Sequence, residues 1–101
     1  MYVISKKKLR EFWERHPDAE EPLRAWHRIV EKTTWQNFAD VRAAFPSADF
    51  VGHRTEGNRI VFNVGGNKFR LIVIAYFEHG RVYVRHVLTH AEYDRGNWKK
   101  D

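Results

Sequence analysis

The sequence contains no cysteine. That excludes a disulfide framework and any thiolate metal centre. It also lacks a long apolar run: the longest, residues 71–77, falls far short of the roughly 20 needed to cross a bilayer as a helix. The order of a secretory leader is missing too. Val3 and Ile4 precede Lys6, Lys7 and Lys8, so apolar residues come before the cations. These absences lead us to expect a cytoplasmic protein with no membrane contact. There is no internal repeat and no low-complexity stretch.

What is present fits one small domain spanning residues 1–101. Hydrophobic residues make up 43% of the chain and include four tryptophans, enough for a modest core without staples. Eighteen Lys and Arg against thirteen Asp and Glu give a net charge of +5. A basic balance of this kind points to a polyanionic partner. The cations are dispersed rather than gathered in a tail, so their direction matters more than their sum.

Residues 2–4 read as a short opening strand. Ser5 is placed to cap a helix running to about Arg15, with Leu9, Phe12, Trp13 and His16 on one face. Pro17 breaks it. Pro22 suits the first turn of a second helix burying Leu23, Trp26, Ile29 and Val30. A third helical piece covers about 38–44 and stops before Pro46. From Asp49 the period changes, and three strand-like runs occupy 59–64, 68–77 and 81–89. Gly65-Gly66 and His79-Gly80 suit two-residue hairpin turns. The tail from Ala91 suggests a last helical turn. The expected fold is therefore α+β. A short N-terminal strand is followed by two to three helices, packed on one face of an antiparallel sheet that ends in a three-stranded meander.

Two-residue turns would set Asn63 opposite Lys68, Val61 opposite Arg70 and Ile74 opposite Arg85. Alternation then sorts the sheet. One face holds Ile60, Phe62, Val64, Phe69, Leu71, Val73, Ala75, Phe77, Val82, Val84 and Leu88, with His86 as its polar exception. The helices must cover it. The other face holds Arg59, Asn63, Lys68, Arg70, Tyr83 and Arg85 among Val61, Ile72, Ile74, Tyr76 and Val87. On this reading Arg59, Lys68, Arg70 and Arg85 project together into an open groove, away from the helices. Cations for the phosphates and aromatics for splayed bases are what an RNA-binding surface requires. An ordinary solvated sheet face would also carry charge.

The stretch Phe62-Asn63-Val64-Gly65-Gly66-Asn67-Lys68-Phe69-Arg70-Leu71 resembles the HigB family of toxins, within the RelE-like superfamily. So does Thr89-His90-Ala91-Glu92-Tyr93-Asp94. The likeness extends to Val3-Ile4-Ser5 and Phe45-Pro46-Ser47. It implies a single RelE-like domain and endonucleolytic cleavage of mRNA, commonly on the ribosome. It implies as partner a HigA-type helix-turn-helix antitoxin, through which alone the protein would meet DNA. The resemblance places the family's catalytic arginine at Arg70, its basic or histidine residue at His90 and its tyrosine at Tyr93.

Cleavage without metal uses the 2′-OH of the substrate as nucleophile, so the enzyme supplies proton transfer and a clamp on the phosphate. Arg70 suits the clamp, because its planar fork can hold two phosphate oxygens. His90 suits acid–base work near neutral pH. Strict alternation puts it on the apolar face, so a bulge or the strand's end must turn it round. Tyr93 would orient, donate a proton or stack. Arg59, Lys68, Tyr83 and Arg85 are the expected RNA contacts. His86 and His90 stand four apart, but on a strand and without a third ligand, so we expect no metal and no cofactor. Trp98 is either packing or a partner contact. The rival class is a non-catalytic RNA- or ribosome-binding module on the same scaffold, which would need no proton-transfer group.

Overall fold

The computed structural model describes residues 1–54 and 57–100, with the side chains of residues 53 and 54 left aside. It opens with strand β1 (Tyr2–Ile4) and helix α1 (Lys6–Arg15), then a 3-10 turn, Pro17–Ala19. Helices α2 (Glu20–Glu31) and α3 (Phe38–Ala44) come next. The rest of the sheet is β2 (Asp49–Arg54), β3 (Gly57–Val64), β4 (Phe69–Tyr76) and β5 (Arg81–Thr89). Helix α4 (His90–Arg95) and a 3-10 turn, Asn97–Lys100, complete the described chain. Strand order is β1-β5-β4-β3-β2, with β1 parallel to β5 and the other pairs antiparallel. The expected α+β class and the meander stand. Two strands extend them: β2 lies in a stretch read as a connector, and β1 makes the sheet mixed.

The helices form where expected, with one change of cause. Ser5 sits at the N-cap of α1, but with φ +72° and no side-chain bond to the first turn. Of α1–α3 only α3 has a side-chain cap, Asn37, whose Oδ1 accepts from the Asp40 N–H at 3.1 Å. The main core lies between α1–α3 and one sheet face. Leu9, Phe12, Leu23, Trp26, Val30 and Trp35 meet Ile60, Phe62, Leu71, Val73, Val82 and Val84 there, all nearly or fully buried. Phe62 is the hub: its ring packs against Trp26, Trp35 and Phe45 at centroid distances of 5.5, 6.2 and 5.1 Å.

Neither hairpin uses a two-residue turn. Val64 pairs with Phe69, leaving Gly65 to Lys68 as a four-residue turn, and Tyr76 pairs with Arg81. Gly65 and Gly66 both take positive φ, and a Cβ on Gly65 would lie 3.2 Å from the Phe69 ring. Asn63 therefore faces Arg70, and Val61 faces Ile72. Each register moves by two residues. An even shift keeps every side chain on its face, so the face sorting survives the wrong turns over most of the sheet.

It fails beyond one point. Val73 pairs with Val84, but Ile72 pairs with His86, so Arg85 is an extra residue in β5. This β-bulge reverses the alternation in the remainder of the strand. His86 and Leu88 join the face of Ile72 and Arg70, and Val87 packs against the main core instead. The expectation that His86 and Leu88 lie beneath the helices, with Val87 opposite, is corrected accordingly. Lys8 Nζ of α1 donates to the Arg85 carbonyl at 3.1 Å, tying the bulge to the helix layer.

Candidate active site

The second sheet face is not an open groove. Helix α4 and the 3-10 turn after it fold back over the face. They make a small second core of Val61, Ile72 and Trp98, flanked by Val51, Leu88 and Tyr93. Tyr93 and Trp98 stack with rings 5.1 Å apart, and Trp98 Nε1 donates to the Tyr93 carbonyl at 2.9 Å. The reversal of alternation in β5 makes this possible, because it presents Leu88 rather than Val87 to that core.

Two arginines of this face are covered with it. Arg70 is 8% exposed. Its Nη1 donates to the carbonyls of Asn67 and Phe69 at 3.2 and 3.1 Å, and its Nη2 to Asn67 Oδ1 at 2.6 Å. The Tyr93 ring lies over the guanidinium, with its centroid at 5.4 Å. These acceptors satisfy several of the five donors, as a buried guanidinium requires. Arg59 is equally buried, with Trp98 5.7 Å from its guanidinium carbon. The expected picture of freely projecting cations is wrong for both, because a folded tail occupies the space in front of them.

Lys68 leaves the group altogether. Its Nζ lies 3.3 Å from Asp18, in the 3-10 turn of the helix layer. The longer turn carries it off the ladder, so alternation no longer governs it. Arg85 is exposed at the bulge. Tyr83 pairs with Ile74, further along β5 from the Arg70 rung, and its ring meets Tyr76 edge-on at 5.2 Å. Of the residues singled out, Arg70, His90 and Tyr93 come to one corner. Arg59 and Tyr83 share their face, on either side of Ile74 in one rung, whereas Lys68 leaves it for the helix layer and Arg85 is exposed at the bulge.

His90 is the first residue of α4, and its backbone N–H donates to the Lys68 carbonyl at 3.0 Å. The helix start thus docks on the turn that also holds Arg70. The side chain is 44% exposed, with Nδ1 3.0 Å from Asp94 Oδ2. This contact ties the imidazole to the next turn of its own helix. The helix is set by a capping box. Thr89 Oγ1 accepts from the Glu92 N–H at 3.2 Å, and Glu92 Oε1 accepts from the Thr89 N–H at 2.9 Å. The Thr89 N–H holds the Glu92 carboxyl below its usual pKa, helped by the Thr89 hydroxyl and by Arg95 and His16 nearby.

Beside this corner lies a pocket of about 260 Å³ lined by His86, Leu88, Glu92, Arg95, Asn97 and Trp98. Sequence reasoning missed it and missed His86 with it, because nothing in a regular β-pattern marks where a bulge falls. Asn67 was missed as well. A four-residue turn was needed before its side chain could reach Arg70. Among the described residues, no group of three or more His, Asp or Glu is disposed to hold a metal ion. No helix among them is long and apolar enough to cross a membrane.

A small α+β chain with helices on one face of a short sheet, and arginines and a histidine gathered on the other, has the RelE-like fold. The model of the HigB toxin family, the RelE-like toxic component of a toxin–antitoxin system, matches residues 19–96, and the chain belongs to that family. Among curated relatives, the mRNA interferase toxin HigB of Escherichia coli K12 is 34% identical over 94 residues. That span covers 93% of this chain and 88% of the relative. The mRNA interferase HigB of Shigella flexneri is equally similar. That of Escherichia coli O6:H1 is 33% identical over 95 residues, covering 94% and 90%.

Proposed function

We propose that this chain is an mRNA endonuclease that stops translation, with Arg70, His90 and Tyr93 at its reacting centre. The observation that carries this reading is the corner where α4 meets the β3–β4 turn. There a hydrogen-bonded arginine, a half-exposed imidazole held by a carboxylate and a tyrosine come together. The names of the relatives, mRNA interferases covering nearly the whole chain, support it.

The reaction needs no group beyond the substrate and these side chains. The 2′-oxygen attacks the adjacent phosphorus, the bond from phosphorus to the 5′-oxygen breaks, and a 2′,3′-cyclic phosphate and a 5′-hydroxyl result. One group takes the 2′-OH proton and another returns a proton to the leaving oxygen. Nε2 of His90 takes one of these roles. Arg70 neutralises the charge that builds on the phosphorane oxygens. Its bonds to Asn67 and Phe69 fix the fork beforehand, and the Tyr93 ring must yield for the phosphate to reach it. Tyr93 then stacks on a base or passes a proton. Arg59 lends positive potential to the same face and Tyr83 stands on its rung for stacking, while Lys68 and Arg85 serve a longer RNA track beyond it.

On this reading the substrate is mRNA in the cytoplasm, held on the ribosome, which would order the strand for so small an enzyme. The natural inhibitor is a HigA-type helix-turn-helix antitoxin, which links the toxin to DNA. Residues 1–101 act as one unit. The test is expression of wild type, Arg70→Ala and His90→Ala, with growth and mRNA ends monitored together. Growth arrest with new 5′ ends in the wild type, both lost in the variants while ribosome association persists, is the expected result. Undiminished arrest in both variants would instead favour a binding module without catalysis. Equal cutting of naked and ribosome-bound mRNA would remove the ribosome from the account.

A further inference from the structure

One concave feature of the described surface is on neither sheet face. A cleft of about 400 Å³ opens between α1 and α2, on the outside of the helix layer. Its walls carry Lys6, Arg10 and Trp13 from α1, and Arg24, His27 and Arg28 from α2. Four permanent cations and an indole in one half-open cleft are not required by helix packing, for which Leu9, Phe12, Leu23 and Trp26 suffice.

The charges are not equivalent. Lys6 lies 3.9 Å from Glu31, and Arg24 lies 2.8 Å from Glu20. Arg10 and Arg28, one from each helix, have no ion pair among the described residues. His27 Nε2 is shielded from solvent and sits 3.3 Å from Glu31 Oε2, off the angle of a hydrogen bond. The Arg24 guanidinium lies over the Trp13 ring, 4.6 Å from its centroid. An arginine stacked on an indole offers a flat platform for another π-system as well as donors at its edge.

We propose that this cleft binds one nucleotide unit, its base on the Arg24–Trp13 stack and its phosphate between Arg10 and Arg28. Two unpaired guanidinia match a single phosphate group. A volume of this order lies within the range of small-molecule sites. An extended acidic protein segment is the poorer fit. It would make no use of the aromatic platform and would meet Glu20 and Glu31 along the rim. The unit comes either from a free nucleotide or from an RNA strand, and the two sources share this chemistry. The inference does not rest on the proposed cleavage, because the cleft is built from helices on the far side of the sheet.

The chain provides its own controls. Its four tryptophans each give an indole N–H signal in a ¹H–¹⁵N spectrum of the purified protein, and only Trp13 lines the cleft. Titration with adenosine monophosphate, or with a short 5′-phosphorylated oligoribonucleotide, should move the Trp13 signal saturably and leave Trp26 and Trp35 in place. Inorganic phosphate and adenosine alone should each bind at least about tenfold more weakly, a difference of about 1.4 kcal/mol. The double variant Arg10→Glu/Arg28→Glu should keep its dispersed spectrum and lose the shift. Saturation by the oligoribonucleotide alone would identify the strand as the source, and saturation by both would admit the free nucleotide. A Trp13 signal unmoved by either ligand at about 5 mM, where even a millimolar site would be mostly filled, would overturn the proposal. So would movement by inorganic phosphate as strong as by the nucleotide, or movement only by an acidic peptide.

Discussion

Beneath α1, α2 and α3 the sheet presents Ile60, Phe62, Leu71, Val73, Val82 and Val84, dry and nearly all aliphatic or aromatic. On the opposite side, beneath α4 and the last 3-10 turn, Val61, Ile72 and Trp98 share their cover with two arginines that are 8% exposed. The first face obeys the alternation of regular strands as far as Val84, beyond which Val87 takes the place expected of Leu88. The second depends on one extra residue at Arg85, which brings His86 and Leu88 across. The apolar face stabilises by burial, whereas on the mixed face carbonyls and an amide satisfy Arg70, and aromatic rings lie against both guanidinia. On the proposed reading the chemistry lies on the face that also buries two guanidinia, at some expense in stability.

Changes to the two faces should therefore differ in kind. Phe62→Ala empties the hub of the main core and should cost about 3–5 kcal/mol in urea unfolding. A loss as large from Val61→Ala on the other face would break the contrast. His90→Ala should lower mRNA cleavage by about 10²-fold or more and leave the unfolding midpoint nearly unchanged, since the side chain is 44% exposed. Stability and cleavage falling together would mean that His90 only holds α4 in place.

Thr89→Ala removes one arm of the capping box and should cost about 1 kcal/mol, read from the same unfolding curves. The smallest effect is on acid stability. The Glu92 carboxyl is held below its ordinary range when folded, so the unfolded chain takes up that proton first as pH falls. Its contribution is present at neutral pH, begins to fade from about pH 5, and is lost as pH drops through the lowered folded value. Wild type should then lose slightly more stability than Glu92→Gln over that window. Parallel curves would show that the bond from the Thr89 N–H does not discriminate charge.

The sequence made the first face legible almost completely, because alternation and helical spacing both report burial. Even the misread hairpins did no harm there, since a shift of two residues returns each side chain to its own face. The second face was legible only in part. Arg70, His90 and Tyr93 stood out through resemblance and chemistry. Their mutual arrangement did not, because it depends on a bulge with no composition of its own. It depends too on a tail whose covering role is carried by Trp98. Lys68 shows the same limit: once the turn lengthens, alternation says nothing about where its ammonium goes, and Asp18 decides.

Single-turnover cleavage of ribosome-bound mRNA by Arg70→Ala and by Lys68→Ala, compared side by side, bears most directly on the assignment of catalysis to the face beneath α4. Both variants lose one cation from neighbouring residues of the chain, but only one of those cations lies on that face. The rate should fall about 10²- to 10³-fold for Arg70→Ala and by no more than a few-fold for Lys68→Ala. Equal rates for the two variants, or a larger loss at Lys68, would contradict it.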